Sequence, residues 1–188
     1  IVRVLGTGQL GDSGACYIAM EYLRGETLGV RLKRSGRLRR EALLIGKQIA
    51  DALVAAHKKN IIHRDLKPSN IILVDGDEDA AGHDNVKIID FGIAKLPVDE
   101  QQEQDFRTRT GTMIGTPVYM APEQCRGVTV TDRTDVYALG VILYQAMAGK
   151  PPFFSQADGD ILAMHILVPP RPLKEVEPTV PAPVSTLI

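Results

Sequence analysis

The sequence predicts an α+β fold, mainly helical, on three observations. Two short β-rich runs bracket a turn at the start of the chain, two long stretches carry apolar residues at the helical period, and two further β-rich runs lie between those stretches. With 188 residues, 44% of them hydrophobic, the chain has the size and composition of one domain with a sizeable core.

The elements follow in order. Ile1–Leu5 and Ala15–Glu21 read as a strand pair, the second run continuing through Tyr17–Leu23 to a break at Arg24-Gly25. A short helix is expected from Glu26 to Lys33. From Arg39 to His57, Ala42, Ile45, Ile49, Ala52, Leu53 and Ala56 recur on one face, a long amphipathic helix interrupted only by Gly46. Ile71–Val74 and Val86–Ile89 are β-rich and flank the acidic stretch DGDEDAAGHDN, which suits a hairpin with a solvated insert. After a polar stretch, Asp99 to Arg109, a second helix is expected from Arg133 to Met147, with Val136, Leu139, Leu143 and Met147 inward. Pro169, Pro170, Pro172, Pro178, Pro181 and Pro183 exclude regular helix from the last twenty residues.

Charge and cysteine content narrow the function classes. The 22 basic and 23 acidic residues are mixed along the chain, net charge −1, so no basic stripe points to nucleic acid. No apolar run reaches the eighteen or so residues that cross a membrane, and no charged-then-apolar leader opens the chain. Cys16 and Cys125 stand in no metal-ligand or redox spacing and are expected to be small buried hydrophobes in a reducing compartment.

The chemistry lies between and after the first long helix. Read singly, His63 is a core histidine, Asp65 and Asp90 are loop caps, and Asn70 is a turn residue. Read together, His63-Arg64-Asp65-Leu66-x-x-x-Asn70, then Asp90-Phe91-Gly92, then Ala121-Pro122-Glu123 form the ordered motif set of protein kinases. On these motifs the chain resembles the large lobe of a Hanks-type protein serine/threonine kinase of bacterial style, a resemblance strengthened by APEQCRG and DVYALGVILYQAMAGKPPF.

The resemblance implies a protein-kinase-like α+β fold, with residues 1–23 as a remnant of the small-lobe sheet and hinge and 24–188 as the large lobe. It implies ATP and Mg²⁺, and protein substrates that offer Ser or Thr hydroxyls. Phosphoryl transfer spreads charge over the γ-phosphate oxygens, so catalysis is mostly positioning and electrostatics. Asp65 would orient the substrate hydroxyl and accept its proton. Lys67 would bring positive charge to the γ-phosphate, and Asn70 and Asp90 are the hard oxygen ligands that Mg²⁺ prefers. By the same resemblance Met20 is the gatekeeper, Glu21 and Leu23 lend backbone groups to adenine, and Ile72 is its apolar floor. Thr116 corresponds to the threonine that bonds the catalytic aspartate, and Asp135 to the buried aspartate that holds the catalytic loop. Autophosphorylation is expected at Thr108 or Thr110, with Thr112 as an alternative, because Arg64 resembles the arginine that pairs with a phosphothreonine. The expected location is the cytoplasm.

The stretch GTGQLG, residues 6–11, matches a glycine-rich phosphate loop but fails both tests of one. A dinucleotide loop needs a helix next, which Gly11-Asp12-Ser13-Gly14 breaks, although Glu26 sits near the distance required of its acidic partner. A kinase loop needs a valine and then a strand lysine, and the first lysine is Lys33. GTGQLG is therefore expected to be the turn between the fourth and fifth small-lobe strands. The glycine-rich loop, the strand lysine and the small-lobe glutamate would then lie upstream of Ile1, and the arginine that pairs with Glu123 beyond Ile188. The 188 residues alone are accordingly expected to be inactive. A pseudokinase is the alternative reading, opposed by the presence of Asp65, Lys67, Asn70 and Asp90.

Overall fold

The computed structural model describes residues 1–11, 14–75, 85–91 and 117–188. Strands β1 (Val4–Leu10) and β2 (Ala15–Met20) pair antiparallel from Val4 with Met20 to Leu10 with Ala15, with a register shift between Val4 and Gly6. Most of GTGQLG is therefore strand, not turn. The first strand lies later than Ile1–Leu5, because the turn falls on the residues after Leu10. Cys16, on this open hairpin, is exposed rather than buried, and Cys125 is half-buried.

A second sheet has the order β3–β4–β5, all antiparallel: Gly25–Thr27, Ile71–Val74 and Asn85–Ile88. The strand β3 was not expected; its three residues gain ladder partners only from β4, 45 and more positions away, which no local pattern reports. Helix α1 (Leu28–Ser35) consequently starts two residues later than expected, capped by the Thr27 hydroxyl, which accepts from the Val30 N–H at 3.1 Å. Strand alternation puts Ile71 and Leu73 into the core and leaves Ile72 and Val74 on the other face.

Helices α2 (Arg39–His57) and α4 (Asp132–Ala148) form the centre of the molecule. The face of α2 read from sequence is the buried one: Ala42, Ile45, Ile49 and Leu53 share a core with Ala138, Ile142 and Met147 of α4, and Ala56 is buried too. Each fully buried Leu or Ile here contributes about 1.5–3 kcal/mol. On α4 the expected face is inward in part: Met147 is buried and Leu139 packs against the core, but Val136 is 50% exposed, and Thr134, Asp135 and Ala138 are buried as well. The polar pair goes inward because it meets polar partners in the catalytic region, which outweighs the apolar period. Gly46 marks where the two helices come closest, since a Cβ there would lie 2.7 Å from Cδ2 of Leu143.

Helix α3 (Pro122–Arg126) follows a 3₁₀ turn at Pro117–Tyr119, and α5 (Asp158–Leu167) packs on both. The proline-rich tail holds two short helices, α6 (Leu173–Val176) and α7 (Ala182–Leu187). Exclusion of helix there was too strict: Pro183 sits in the first turn of α7, where its missing N–H costs nothing. Glu177 ties the tail to the start of α2 through Arg37 and Arg39, and the Leu38 N–H donates to the Ala146 carbonyl at 2.8 Å. Among the described residues no helix is long and apolar enough to cross a membrane.

Gly25 has φ +148°, and a Cβ there would lie 2.0 Å from the Leu73 carbonyl oxygen. Gly25→Ala is expected to destabilise the fold by about 2–4 kcal/mol, combining backbone strain with a clash against main chain. A urea midpoint within error of the parent's would refute this.

Candidate active site

The loop after α2 is held by main-chain anchors. Asp135, in the first turn of α4 and 1% exposed, accepts from the His63 N–H at 2.9 Å with Oδ2 and from the Arg64 N–H at 3.0 Å with Oδ1. Its Oδ2 also lies 2.7 Å from His57 Nε2 at the end of α2. Arg64 has φ +65°, a left-handed conformation that costs a non-glycine residue roughly 1–2 kcal/mol. The fixed N–H is one reason it persists.

His63 joins two of the sequence motifs. Its Nδ1 accepts from the Asp65 N–H at 3.3 Å, so the hydrogen sits on Nε2, which donates to the Ile89 carbonyl at 3.0 Å. The Ile89 N–H in turn donates to the Asn70 carbonyl at 3.0 Å. Asp90 follows directly, with φ +56°, and the His63 and Phe91 rings stand 4.7 Å apart. The His-Arg-Asp and Asp-Phe-Gly segments are thereby locked side by side.

Three predicted residues form one hydrogen-bonded unit. Lys67 Nζ is 2.8 Å from Asp65 Oδ2, and Asn70 Nδ2 donates to the Asp65 carbonyl at 3.0 Å. This commits the Asn70 amide nitrogen inward and leaves its Oδ1 as the oxygen available to a cation. The Asp90 carboxylate is exposed and has no hydrogen-bond partner among the described residues. One amide oxygen and one free carboxylate suit Mg²⁺, which is usually held by one or two carboxylates together with substrate phosphates. No cluster of three or more His, Cys, Asp or Glu that could hold a metal occurs among the described residues.

The predicted nucleotide residues lie at the junction of the two sheets. Met20 ends β2 at 39% exposure, and Glu21 and Leu23 are half-buried in the following link. Ile72 pairs with Lys87 across β4 and β5, so both side chains share a face. Lys87 Nζ reaches Glu21 Oε1 at 3.0 Å, which turns that face toward the link. Thr116, Thr108, Thr110, Thr112 and Gly92 lie outside the described residues.

A family model described as Protein kinase domain matches residues 1–182. The chain belongs to the protein kinase domain family. It is 42% identical over 172 residues to the serine/threonine-protein kinase pkn3 of Myxococcus xanthus, covering 91% of this chain and 30% of that protein. It is 43% identical over 176 residues to Pkn1 of the same organism, covering 92% of this chain and 24% of that protein. With PknA of Mycobacterium tuberculosis it shares 41% identity over 189 residues, 100% of this chain and 40% of that protein. The kinase domain thus spans from 24% to 40% of the length of these curated relatives.

Several residues of the kinase domain's site escaped the sequence reading. Gln124 donates from Nε2 to the Arg64 carbonyl at 2.7 Å and accepts from the Ala121 N–H at 3.0 Å. Its position three residues after Ala121 fits half of a capping box, the one local signal for it. Thr134 Oγ1 donates to Glu123 Oε1 at 2.6 Å, so Glu123 has a partner within the domain. Tyr119, whose hydroxyl burial pushes up to about 12, donates to Gln145 Oε1 at 2.7 Å. His57 gave no signal, being one more residue at a helix end.

Burial holds the His63 imidazole below its ordinary 6.5, and burial does the same to His165, whose Nδ1 lies 2.7 Å from the Tyr137 hydroxyl. The unfolded chain takes up these protons near that value and the folded kinase domain does not. Stability is therefore full above about pH 6.5 and falls as the pH drops below it. Urea midpoints at about pH 7.5 and about pH 5.5 should differ in that direction, and by less in His165→Gln, which carries no charge at either pH. An equal drop in variant and parent would exclude His165 as a contributor.

Proposed function

We propose that this domain transfers the γ-phosphoryl group of ATP to Ser or Thr hydroxyls of proteins. The observation that carries this reading is the Asp65, Lys67 and Asn70 unit standing beside Asp90 through the Ile89 bridge. The names of the relatives, all serine/threonine-protein kinases, support it.

Asp65 accepts the hydroxyl proton of the substrate as the new O–P bond forms. The bond from the γ-phosphorus to the bridging oxygen breaks, and ADP leaves with that electron pair. Lys67 holds the Asp65 carboxylate in place and offers positive charge to the transferring group. Asn70 Oδ1 and Asp90 are the residues that would hold Mg²⁺, which would supply positive charge to neutralise the phosphates. Ile72 floors the adenine, Met20 borders it as gatekeeper, and the Glu21 and Leu23 backbones bond its edge; the ion pair that turns the Ile72 face toward Glu21 supports this. Thr116 steadies Asp65. Autophosphorylation at Thr108 or Thr110 would add about −1.5 to −2 charge, for which Arg64 is the candidate partner.

Residues 1–23 serve as small-lobe sheet and hinge and 24–188 as large lobe, a division favoured by the separate β1–β2 sheet. Free thiols at Cys16 and Cys125 favour the reducing cytoplasm. The test is transfer from γ-labelled ATP with Mg²⁺ to a mixed protein substrate by the full-length protein, followed by phosphoamino-acid analysis. Labelled phosphoserine or phosphothreonine is the expected product. Label on tyrosine alone, or none above the Mg²⁺-free control, would overturn the reading.

A further inference from the structure

Three hydrogen bonds connect the segment 117–126 to helix α4 and to the loop that carries Asp65, and none of them has a part in the reading above. Tyr119 is bonded to Gln145 and Glu123 to Thr134, so the segment is mounted at two points on helix α4. From this mount Gln124 extends to the catalytic loop. The Ala121 N–H can only donate, which fixes the amide oxygen of Gln124 on that side and its NH₂ on the other. There the NH₂ meets the Arg64 carbonyl at 2.7 Å.

Arg64 is the residue in the left-handed conformation immediately before Asp65. Its N–H is bound by Asp135 and its carbonyl by Gln124. The Arg64 carbonyl belongs to the peptide unit that leads into Asp65, so fixing its direction fixes the plane from which the Asp65 side chain departs. Gln124, Tyr119 and Met120 also line one cleft with Asp65 and Lys67.

We propose that Gln124 is a positioning residue for phosphoryl transfer: by holding the Arg64 carbonyl it sets the orientation of Asp65 and couples it to the fold of the 117–126 segment. The inference rests on the kinase reading above. Gln124 touches neither the nucleotide nor the hydroxyl, so its effect falls on the chemical step and not on nucleotide binding.

Gln124→Glu tests this in the full-length protein. The carboxylate still accepts from the Ala121 N–H, so the start of α3 is kept, but it has no hydrogen to give the Arg64 carbonyl. The expected result is a kcat lower by about 10- to 100-fold, the size of effect that small misplacement of a reacting group produces, with KM for ATP within about twofold and thermal midpoint close to the parent's. Gln124→Met, similar in length and without either hydrogen bond, should lose kcat at least as far. A folded Gln124→Glu with parental kcat overturns the proposal, as does a loss that tracks only the fraction unfolded. Should Gln124→Glu fail to fold, the same criteria apply to Gln124→Met, and failure of both to fold also overturns it. Asp65→Asn is run beside them. If the parent and Asp65→Asn transfer phosphate equally, the kinase reading itself has failed; if Asp65→Asn is inactive and the Gln124 variants are not, only the positioning role has.

Discussion

Asp65→Asn is expected to slow phosphoryl transfer by about 10²- to 10⁴-fold in the full-length protein, the range associated with loss of a positioned general base. The substitution changes one oxygen to NH₂ and leaves the shape of the side chain. The Asp65 carbonyl still accepts from Asn70 Nδ2, and the Asp65 N–H still donates to His63 Nδ1, so the loop keeps its course. What disappears is the basic oxygen, together with the ion pair to Lys67. With side chains 38% and 29% exposed, that pair is worth at most about 1 kcal/mol of stability. Rate and stability should therefore separate: a collapse in kcat with a thermal midpoint nearly unmoved. A variant that keeps more than a tenth of the parental rate would remove Asp65 from the role of base.

Asp135→Ala should act on the opposite quantity first. One carboxylate at 1% exposure satisfies the main-chain N–H groups of His63 and Arg64 and bonds His57. Removing it leaves the buried His63 N–H and two part-buried groups, the Arg64 N–H and His57, without that partner, and a buried group left unpaired costs about 1–3 kcal/mol. The expected loss of about 3–5 kcal/mol is a large part of the 5–15 kcal/mol that stabilises an ordinary domain. Asp135→Asn keeps one acceptor oxygen and should lose less than Asp135→Ala. Chemical denaturation of the two variants decides: a loss below about 1 kcal/mol for Asp135→Ala would show that the loop is held from elsewhere.

The ordered motifs made His63, Asp65, Asn70 and Asp90 legible because each is tied to short local context. The buried face of α2 was legible for the same reason, its period being unbroken from Ala42 to Ala56. On helix α4 the period placed Met147 inward as found but not Val136, and the burial of Asp135 was legible only through the family resemblance, because its partners and those of Thr134 lie at His63, Arg64 and Glu123. Strand β3 and the bond from Gln124 to Arg64 depend on pairings across 45 or more positions. Such pairings are decided by tertiary packing, which overrides local propensity. The prolines of the tail were given too much weight, because Pro in a first turn is compatible with helix.

Gly46 and Asp135 are separate features of the fold that share one rigid element. Gly46 sets how closely α2 meets α4 at Leu143, and Leu143 lies eight residues, or about 12 Å of helix, along from Asp135. Because α4 bonds the His63 and Arg64 main chain directly, a displacement of the helix is carried into the loop without slack. The small volume at position 46 therefore acts as a mechanical tolerance on the chemistry. A methyl group added at position 46 would first meet the end of the Leu143 side chain, and only what that side chain could not absorb would pass along α4 toward the loop.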